Sequence, residues 1–315
     1  MLPASLVNIR SINSPPQDSR TDPALPERFA GEMDAAYAAA RHHPGTVALH
    51  RRLRLILSAN LVLGRSDMDI AHLDRFVRRL QSRAELQEQT CHALQRLKFS
   101  LLGLRRGVTI GSRLHPNHLM VVADGVAARF KTTGTGARQI VSFYVPGDPL
   151  NLQDRFVDDA EDQIEGVGVA SLVLVPWPSI DRLCATNPEL RAALWRSAST
   201  EMSILREWLT TVGRREAEKR LGHLLCELIV RLKAVGLSDG TRMAWPFRQE
   251  HLADAAGMTA VHVNRMLRRL RERGFATVRS GIAEIGDWDR LREFAEFDDV
   301  YLGLSTFRPT ATIAV

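Results

Sequence analysis

The spacing of hydrophobic residues changes along the chain, and the first part of it is helical. Helices are predicted over residues 31–41, 46–63, 69–80 and 84–97. The clearest of them, over residues 69–80, places four apolar side chains on one face: Leu73, Phe76, Val77 and Leu80. Several prolines interrupt the pattern before residue 45, so this segment is predicted to be a poorly ordered arm.

From residue 119 the pattern changes to short apolar runs separated by turn residues. Strands are predicted over residues 119–122, 126–131, 140–145 and 167–175. Asp124-Gly125 is a hairpin signal, and Pro146-Gly147-Asp148 ends the third strand. Short strands at this pitch favour an antiparallel β-roll or sandwich, and together with the flanking helices they predict an α+β protein.

A long helix is predicted after Pro188, and it carries an apolar stripe interrupted by one glutamate. The stripe consists of Leu190, Leu194, Ala198, Glu201, Leu205, Trp208 and Val212. It packs either against the same helix of a second subunit or against the roll of its own subunit. The sequence favours the first alternative, and the predicted dimer interface is Leu194, Ala198, Leu205, Trp208 and Val212. A second helix is predicted over residues 216–234.

The segment that follows has the pattern of a helix-turn-helix. A first helix holds Leu252, Ala253 and Ala256 on one side, and Gly257 lies where the chain must turn sharply. Thr259 suits the N-cap of a second helix. That helix would bury an apolar face against the first one, made of Val263, Met266, Leu267 and Leu270.

The opposite face of the second helix has the residues that a helix in the major groove of DNA needs. Small residues come first and allow close approach, and polar or basic residues follow. Arg265 is the candidate for a bidentate contact to guanine, and Val261 for contact with a thymine methyl group. Further contacts to bases or phosphates are predicted for Arg248, Gln249, Thr259, Ala260, His262, Asn264 and Arg268, and for Arg279 in a small hairpin, the wing, over residues 276–285.

Charge supports this placement. The chain has 315 residues and a net charge of +6, an excess that suits a polyanionic partner without requiring one. Residues 248–279 hold seven Arg and three acids, whereas residues 284–299 hold seven acids and two Arg. The basic segment therefore coincides with the candidate recognition helix.

Other features exclude several classes of protein. Cys91, Cys184 and Cys226 lie far apart without a CxxC pair, so they predict reduced thiols and neither a metal site nor an iron–sulfur cluster. The chain has no apolar run of about 18 residues, so no membrane partner is expected. The lack of a secretion signal predicts a cytoplasmic protein.

The segment FRQEHLADAAGMTAVHVNRMLRRLRERGF (residues 247–275) resembles the helix-turn-helix of the Crp/Fnr regulators. Residues 204–232 and 285–302 resemble a Crp/Fnr subgroup that is common in alphaproteobacteria. The resemblance extends over residues 70–302 and is most specific in the C-terminal third. It implies a cyclic-nucleotide-binding-like β-roll, a long dimerisation helix and a C-terminal winged helix-turn-helix.

The resemblance also implies a domain organisation and partners. It divides the chain into an N-terminal extension, partly disordered (residues 1–67), a roll-shaped sensor domain (68–186), a dimerisation helix (187–213), a winged helix-turn-helix (214–302) and a tail (303–315). It implies a homodimer that binds a palindromic double-stranded DNA operator and contacts RNA polymerase. Thr259, Ala260, Val261 and Arg265 match the positions that meet DNA in the family. Ala260 and Val261 stand where the cyclic-AMP receptor has Arg and Glu, so a different operator is expected.

The chain departs from the family at the ligand site. Cyclic-AMP binders carry a Gly-Glu pair and an Arg-Ser pair after a PGD-like turn. Here Asn151-Leu152 and Gln163-Ile164 fall near those positions, and acidic residues lie close by: Asp158, Asp159, Glu161 and Asp162. Without the arginine, a buried phosphate would be repelled. No cyclic nucleotide is therefore predicted. The N-terminal cysteine cluster of the oxygen sensors is missing and most histidines in proteins have no ligand role, so neither an iron–sulfur cluster nor haem is predicted, and the effector is left unknown.

Three alternatives remain at this point. Translation from Met68 would leave residues 1–67 outside the native protein, whereas a true arm would cover the roll. A cupin-like enzyme would need a metal pocket in the roll, but His115 and His118 have no partner His or Glu at strand spacing in residues 126–144, so an enzyme is not expected. An adaptor that keeps the fold without binding DNA is the third alternative, and the substitution Arg265→Ala discriminates against it.

Overall fold

The fold is described from a computed structural model of the chain. The structure describes residues 70–304, apart from residues 106, 112–113 and 157–161. The extension over residues 1–67, with its two predicted helices and its disputed start at Met68, lies outside the described residues. The same holds for most of the predicted tail and for Asp158, Asp159 and Glu161.

In the part of the chain that the structure describes, two short helices precede a β-roll of seven strands. The helices are α1 (Ile70–Gln81) and α2 (Glu88–Gln95). The strands are β1 (Ser100–Leu104), β2 (Thr109–Gly111), β3 (His118–Asp124), β4 (Ala127–Thr132), β5 (Arg138–Tyr144), β6 (Gln163–Gly166) and β7 (Ala170–Pro176). Antiparallel pairing gives one sheet with strand order β1-β7-β3 and another with order β2-β6-β4-β5. The predicted antiparallel roll is thus confirmed.

The roll contains strands that the sequence pattern did not predict. β1, β2 and β6 were not predicted, and the strand expected over residues 167–175 is β7, which begins three residues later. β6 ends at Gly166 and pairs with β2 and β4, whereas β7 begins at Ala170 and pairs with β1 and β3. Gly168, with φ +89°, lies in the turn that carries the chain from one sheet to the other.

Three helices follow the roll. α3 (Trp177–Thr186) was not predicted, because its Pro178 suggested a break, whereas proline is well tolerated in the first turn of a helix. α4 (Pro188–Arg214) is the predicted long helix and continues through Gly213. α5 (Ala217–Lys233) is almost entirely buried. None of the helices in the described part of the chain combines the length and apolar character needed to cross a membrane.

The C-terminal region is a winged helix-turn-helix. It consists of β8 (Arg242–Ala244), α6 (Gln249–Ala256), α7 (Ala260–Glu272), β9 (Ala276–Arg279), β10 (Ile282–Ile285), α8 (Trp288–Phe294) and a 3-10 helix (Asp299–Leu302). β8 was not predicted. It pairs with β10 and extends the predicted two-stranded wing to a sheet of order β8-β10-β9.

A buried ion network joins the roll to α5. Asp148, in the turn after β5, lies 2.8 Å from Arg79 Nε through Oδ1 and 2.7 Å from Arg231 Nη2 through Oδ2. Burial alone would raise the pKa of Asp148, but the arginines outweigh it and lower the pKa to about 2. Arg231 also donates to Glu227 and to the Phe143 carbonyl. One carboxylate therefore links α1, the roll and the helix that leads into the DNA-binding domain.

Candidate nucleic-acid interface

The turn between α6 and α7 has the geometry predicted from the sequence. Gly257 adopts the left-handed conformation (φ +62°, ψ +46°), which a side chain would disfavour. Thr259 is the N-cap of α7, and its Oγ1 accepts a hydrogen bond of 3.3 Å from the His262 amide. At the start of α6, the His251 Nδ1 accepts a hydrogen bond of 3.1 Å from the Arg248 amide. Both helix N-termini are thus held by side chains.

One face of α7 is buried and the other faces solvent. Val263, Met266 and Leu270 are buried. On the outer face, the Val261 side chain is 82% exposed although it is apolar. Arg265 and Arg268 follow it at helical spacing, so the three side chains share one exposed stripe.

The arginines of this stripe differ in their local partners. Arg268 pairs with Glu272 at 3.1 Å. Within the described part of the chain, the Arg265 side chain makes neither an ion pair nor a hydrogen bond. A guanidinium group without a local partner keeps all its donors for an external acceptor. The predicted base-reading residue is therefore available for that contact.

A concave surface of about 620 Å³ lies between α6, α7 and β9. It brings together half of the predicted contact residues: Arg248, Gln249, Ala260, Asn264 and Arg268. Its apolar floor includes Trp245, Phe247 and Leu252. Arg271 also lines it, although the sequence analysis did not assign that residue to DNA contact. The sequence signal that could have indicated this role is its spacing, since Arg271 follows Arg268 by three residues on the same helix.

The other predicted contact residues lie outside this concavity. They are Thr259, Val261, His262 and Arg265 on the first half of α7 or at its cap, and Arg279 on the wing. Arg279 is exposed at the end of β9, next to a turn in which Ser280 and Gly281 both have positive φ. The arrangement is a basic helix beside a wing that carries one exposed arginine, and both can present side chains to a duplex.

The predicted dimer interface needs one correction. Trp208 is buried inside its own subunit. Its indole Nε1 donates a hydrogen bond of 2.9 Å to Glu227 Oε2, and its ring centroid lies 5.5 Å from that of Phe143. Leu194, Ala198 and Val212 are half-buried, and Leu205 is 42% exposed. The exposed apolar residues of α4 include Trp195, Met202 and Leu209. At this point of α4 the residue that faces outward is therefore Leu209, and not Trp208 as predicted.

The roll interior next to α4 is filled by the chain's own polar side chains. Arg129 donates to the Leu150 carbonyl and lies 3.1 Å from Asp154 and 3.2 Å from Asp162. Tyr144 donates to Glu201 of α4. Burial raises the pKa of both the Tyr144 hydroxyl and the Glu201 carboxyl. The glutamate that interrupts the apolar stripe thus turns into the roll.

The remaining candidates for ligand chemistry are dispersed. His115 and His118 have ring centroids 6.1 Å apart, and burial lowers the pKa of both. Among the described residues, no group of three or more His, Cys, Asp or Glu is arranged to hold a metal ion. Cys91, Cys184 and Cys226 are free thiols.

Comparison with known proteins identifies the family. A profile of the Crp-like helix-turn-helix domain matches residues 219–294. The nitrogen fixation regulation protein FixK of Bradyrhizobium diazoefficiens is 32% identical over 166 residues, which are 51% of this chain and 68% of FixK. FixK of Azorhizobium caulinodans is 31% identical over 159 residues, which are 50% of this chain and 62% of that protein. For several of the curated relatives, the matched region spans less than two thirds of the relative's own length.

The fold agrees with these relatives. The structure of FixK2 from Bradyrhizobium japonicum covers 63% of this chain and 98% of that chain, with a TM-score of 0.54 and 22% identity. The chain belongs to the Crp/Fnr family of transcription regulators, in its alphaproteobacterial type, as the resemblance implied. This is not a family of enzymes.

Proposed function

We propose that the chain is a transcription regulator that binds a palindromic DNA operator as a homodimer. The observation that carries the proposal is the exposed face of α7, which presents an apolar Val261 and an unpartnered Arg265 side by side on a capped helix whose opposite face is buried. A bidentate arginine contact to guanine discriminates between base pairs by about 1–3 kcal/mol. Arg248, Gln249 and Thr259 would contact phosphates and set the register.

Selection from a random DNA pool tests this proposal. The protein is expected to enrich a palindrome, because a two-fold symmetric dimer binds two equivalent half-sites. The half-site centres should lie about 34–36 Å apart, which is one helical turn of DNA. Affinity is expected to fall steeply with salt because phosphate contacts release counterions. Enrichment of no sequence, with binding that is equal for all duplexes, would refute sequence-specific recognition.

The homodimer would form along the outward face of α4. Trp195, Ala198, Met202, Leu205, Leu209 and Val212 follow each other at alternating spacings of three and four residues. Trp195 is 65% exposed and Leu209 is 74% exposed, a large apolar area for a subunit on its own. A parallel copy of the same helix would bury this heptad seam.

The seam is tested by charge insertion. Leu209→Glu is expected to convert the dimer to a monomer in sedimentation equilibrium, because each dimer would bury two carboxylates without partners. Thr210→Glu is the matched control, since Thr210 is an exposed neighbour that lies off the seam. A Leu209→Glu protein with the wild-type dissociation constant would contradict this interface.

We further propose that cyclic AMP does not control the protein. The residues of the roll do not fit the nucleotide, because Arg129 is already paired with two carboxylates and Glu201 adds another acidic group. A cyclic phosphate there would meet net negative charge. Isothermal titration is expected to show no binding, and micromolar affinity for cyclic AMP would overturn the proposal. Haem is likewise not expected to bind, and a Soret band in the absorbance spectrum of the purified protein would overturn that expectation.

Regulation would proceed through contact with RNA polymerase. Because this contact takes place in the cytoplasm, we expect the protein to be located there. An adaptor without DNA binding is the competing function. It predicts that Arg265→Ala leaves all interactions unchanged, whereas the proposal predicts loss of the operator complex in a mobility-shift assay.

A further inference from the structure

The first helix of the helix-turn-helix contacts the roll through a directed polar cluster. Arg138, at the start of β5, places Nε 2.7 Å from Asp254 Oδ2 of α6 and Nη1 2.8 Å from Glu165 Oε2 of β6. Its guanidinium group also lies 4.5 Å from the centre of the Phe130 ring. One arginine therefore links two strands of the roll to the DNA-binding domain.

A second polar contact lies beside the first. The Gln139 side chain donates a hydrogen bond of 3.3 Å to the Ala255 carbonyl at the end of α6. Ala253, Ala255 and Ala256 are buried, and their small side chains leave room for close packing of α6. Both polar contacts thus lie in the last turn of α6.

Apolar packing also joins the roll and the DNA-binding domain, but it does not fix an angle. The Phe143 ring of β5 lies 4.8 Å from the Phe247 ring, just before α6. Apolar burial is non-directional, so such a contact tolerates rotation of one domain over the other. An ion pair with defined geometry sets the register of a contact. The Arg138–Asp254 pair, at 2.7 Å, is therefore a directed contact that fixes how α6 is turned.

This docked arrangement leaves the DNA-binding face free. Val261, Arg265 and Arg268 are all exposed while α6 lies on the roll. In a dimer, the orientation of each α6 relative to its roll determines the distance and angle between the two α7 helices. Operators have fixed half-site spacing, so that angle enters the affinity directly.

We infer that Arg138 is a positioning residue for DNA binding, which acts by holding α6 through Asp254 so that the two recognition helices match one half-site spacing. The inference rests on the proposed function. It assigns to Arg138, far from the DNA, a part in selecting operators by the spacing of their half-sites. The contacts to bases stay with α7.

The test compares full and half operators. The probes are the palindrome selected from random DNA, versions with one or two base pairs inserted or removed at its centre, and a single half-site. Arg138→Ala and Asp254→Asn are each expected to weaken binding to the palindrome about three- to tenfold, the range for one partly buried ion pair. Both should flatten the preference among spacings while half-site affinity stays within about twofold. The double variant should be no weaker than either single one.

Lys131→Ala is the matched control, because Lys131 is a cation on the adjacent strand β4 that pairs with Asp162 at 3.2 Å and not with α6. It should keep the wild-type spacing preference. If wild-type protein shows no preference for a palindrome, the proposed function fails and this inference with it. If wild type binds the palindrome and Arg138→Ala and Asp254→Asn both keep its spacing preference, the inference alone is refuted. Equal losses on full and half sites would also refute it, since they indicate a general structural defect.

Discussion

Replacement of Asp148 by Asn is expected to destabilise the protein far more than its single lost charge suggests. The carboxylate lies within 2.8 Å of Arg79 and 2.7 Å of Arg231, and it is 3% exposed. The fall in its pKa from 3.8 to about 2 corresponds to about 2.5 kcal/mol of native stability at neutral pH. Arg231 keeps Glu227 as a partner, but the buried Arg79 would lose its carboxylate, which raises the expected loss to about 3–5 kcal/mol.

Urea unfolding at pH 7 measures this effect. Asp181→Asn is the matched control, because Asp181 also pairs with an arginine, Arg155, at 2.7 Å but is half exposed, and a loss of about 0–1 kcal/mol is expected there. Since the pKa of Asp148 is lowered in the folded state, its contribution is present above pH 4 and is lost as the pH falls toward 2. Asp148→Asn should lack that acid-dependent loss. A loss under about 1 kcal/mol at pH 7 would refute the reasoning.

Two further predictions concern stability and pH. Gly257→Ala should lower the free energy of unfolding, measured in urea titrations, by about 1–2 kcal/mol. The reason is that φ is +62° and the new Cβ would lie 3.1 Å from Val212 Cγ1. An unchanged free energy of unfolding would contradict the required turn. Burial lowers the pKa of His223 and His251, so the native state takes up these protons at a lower pH than the unfolded chain, which takes them up below about pH 6.5. Stability should therefore fall from pH 7 to pH 5, by up to about 1.4 kcal/mol per pH unit for each such histidine, and His223→Gln should reduce that slope; an equal slope would contradict it.

The helix-turn-helix could be predicted closely because its signals are local. Gly257 and Thr259 mark the turn through their own backbone preferences, and the buried face of α7 follows from spacing alone. The strands β2 and β6 could not be predicted this way. They have three and four residues, too few for a period of two to be visible, and their pairing is determined by distant strands.

The face of α4 was harder to predict for a different reason. Its inner side is partly lined by Ser197, Thr200 and Thr211, while Trp195 and Leu209 point outward. Hydrophobicity therefore does not separate the two faces, and only the position of the roll decides that Trp208 lies inside. The Arg138–Asp254 contact spans 116 residues, and sequence spacing carries no signal for it.

The central claim is that α7 reads bases through Arg265. Its most direct test measures the affinity of wild type, Arg265→Ala and Arg242→Ala for the selected operator and for the same operator with its contacted guanine replaced. Arg242 is the control, an exposed arginine on β8 paired with Glu284 at 3.8 Å. Arg265→Ala should lose about 1–3 kcal/mol and bind both duplexes equally, while Arg242→Ala should behave as wild type. An Arg265→Ala protein that keeps wild-type affinity and still prefers one duplex would contradict the claim.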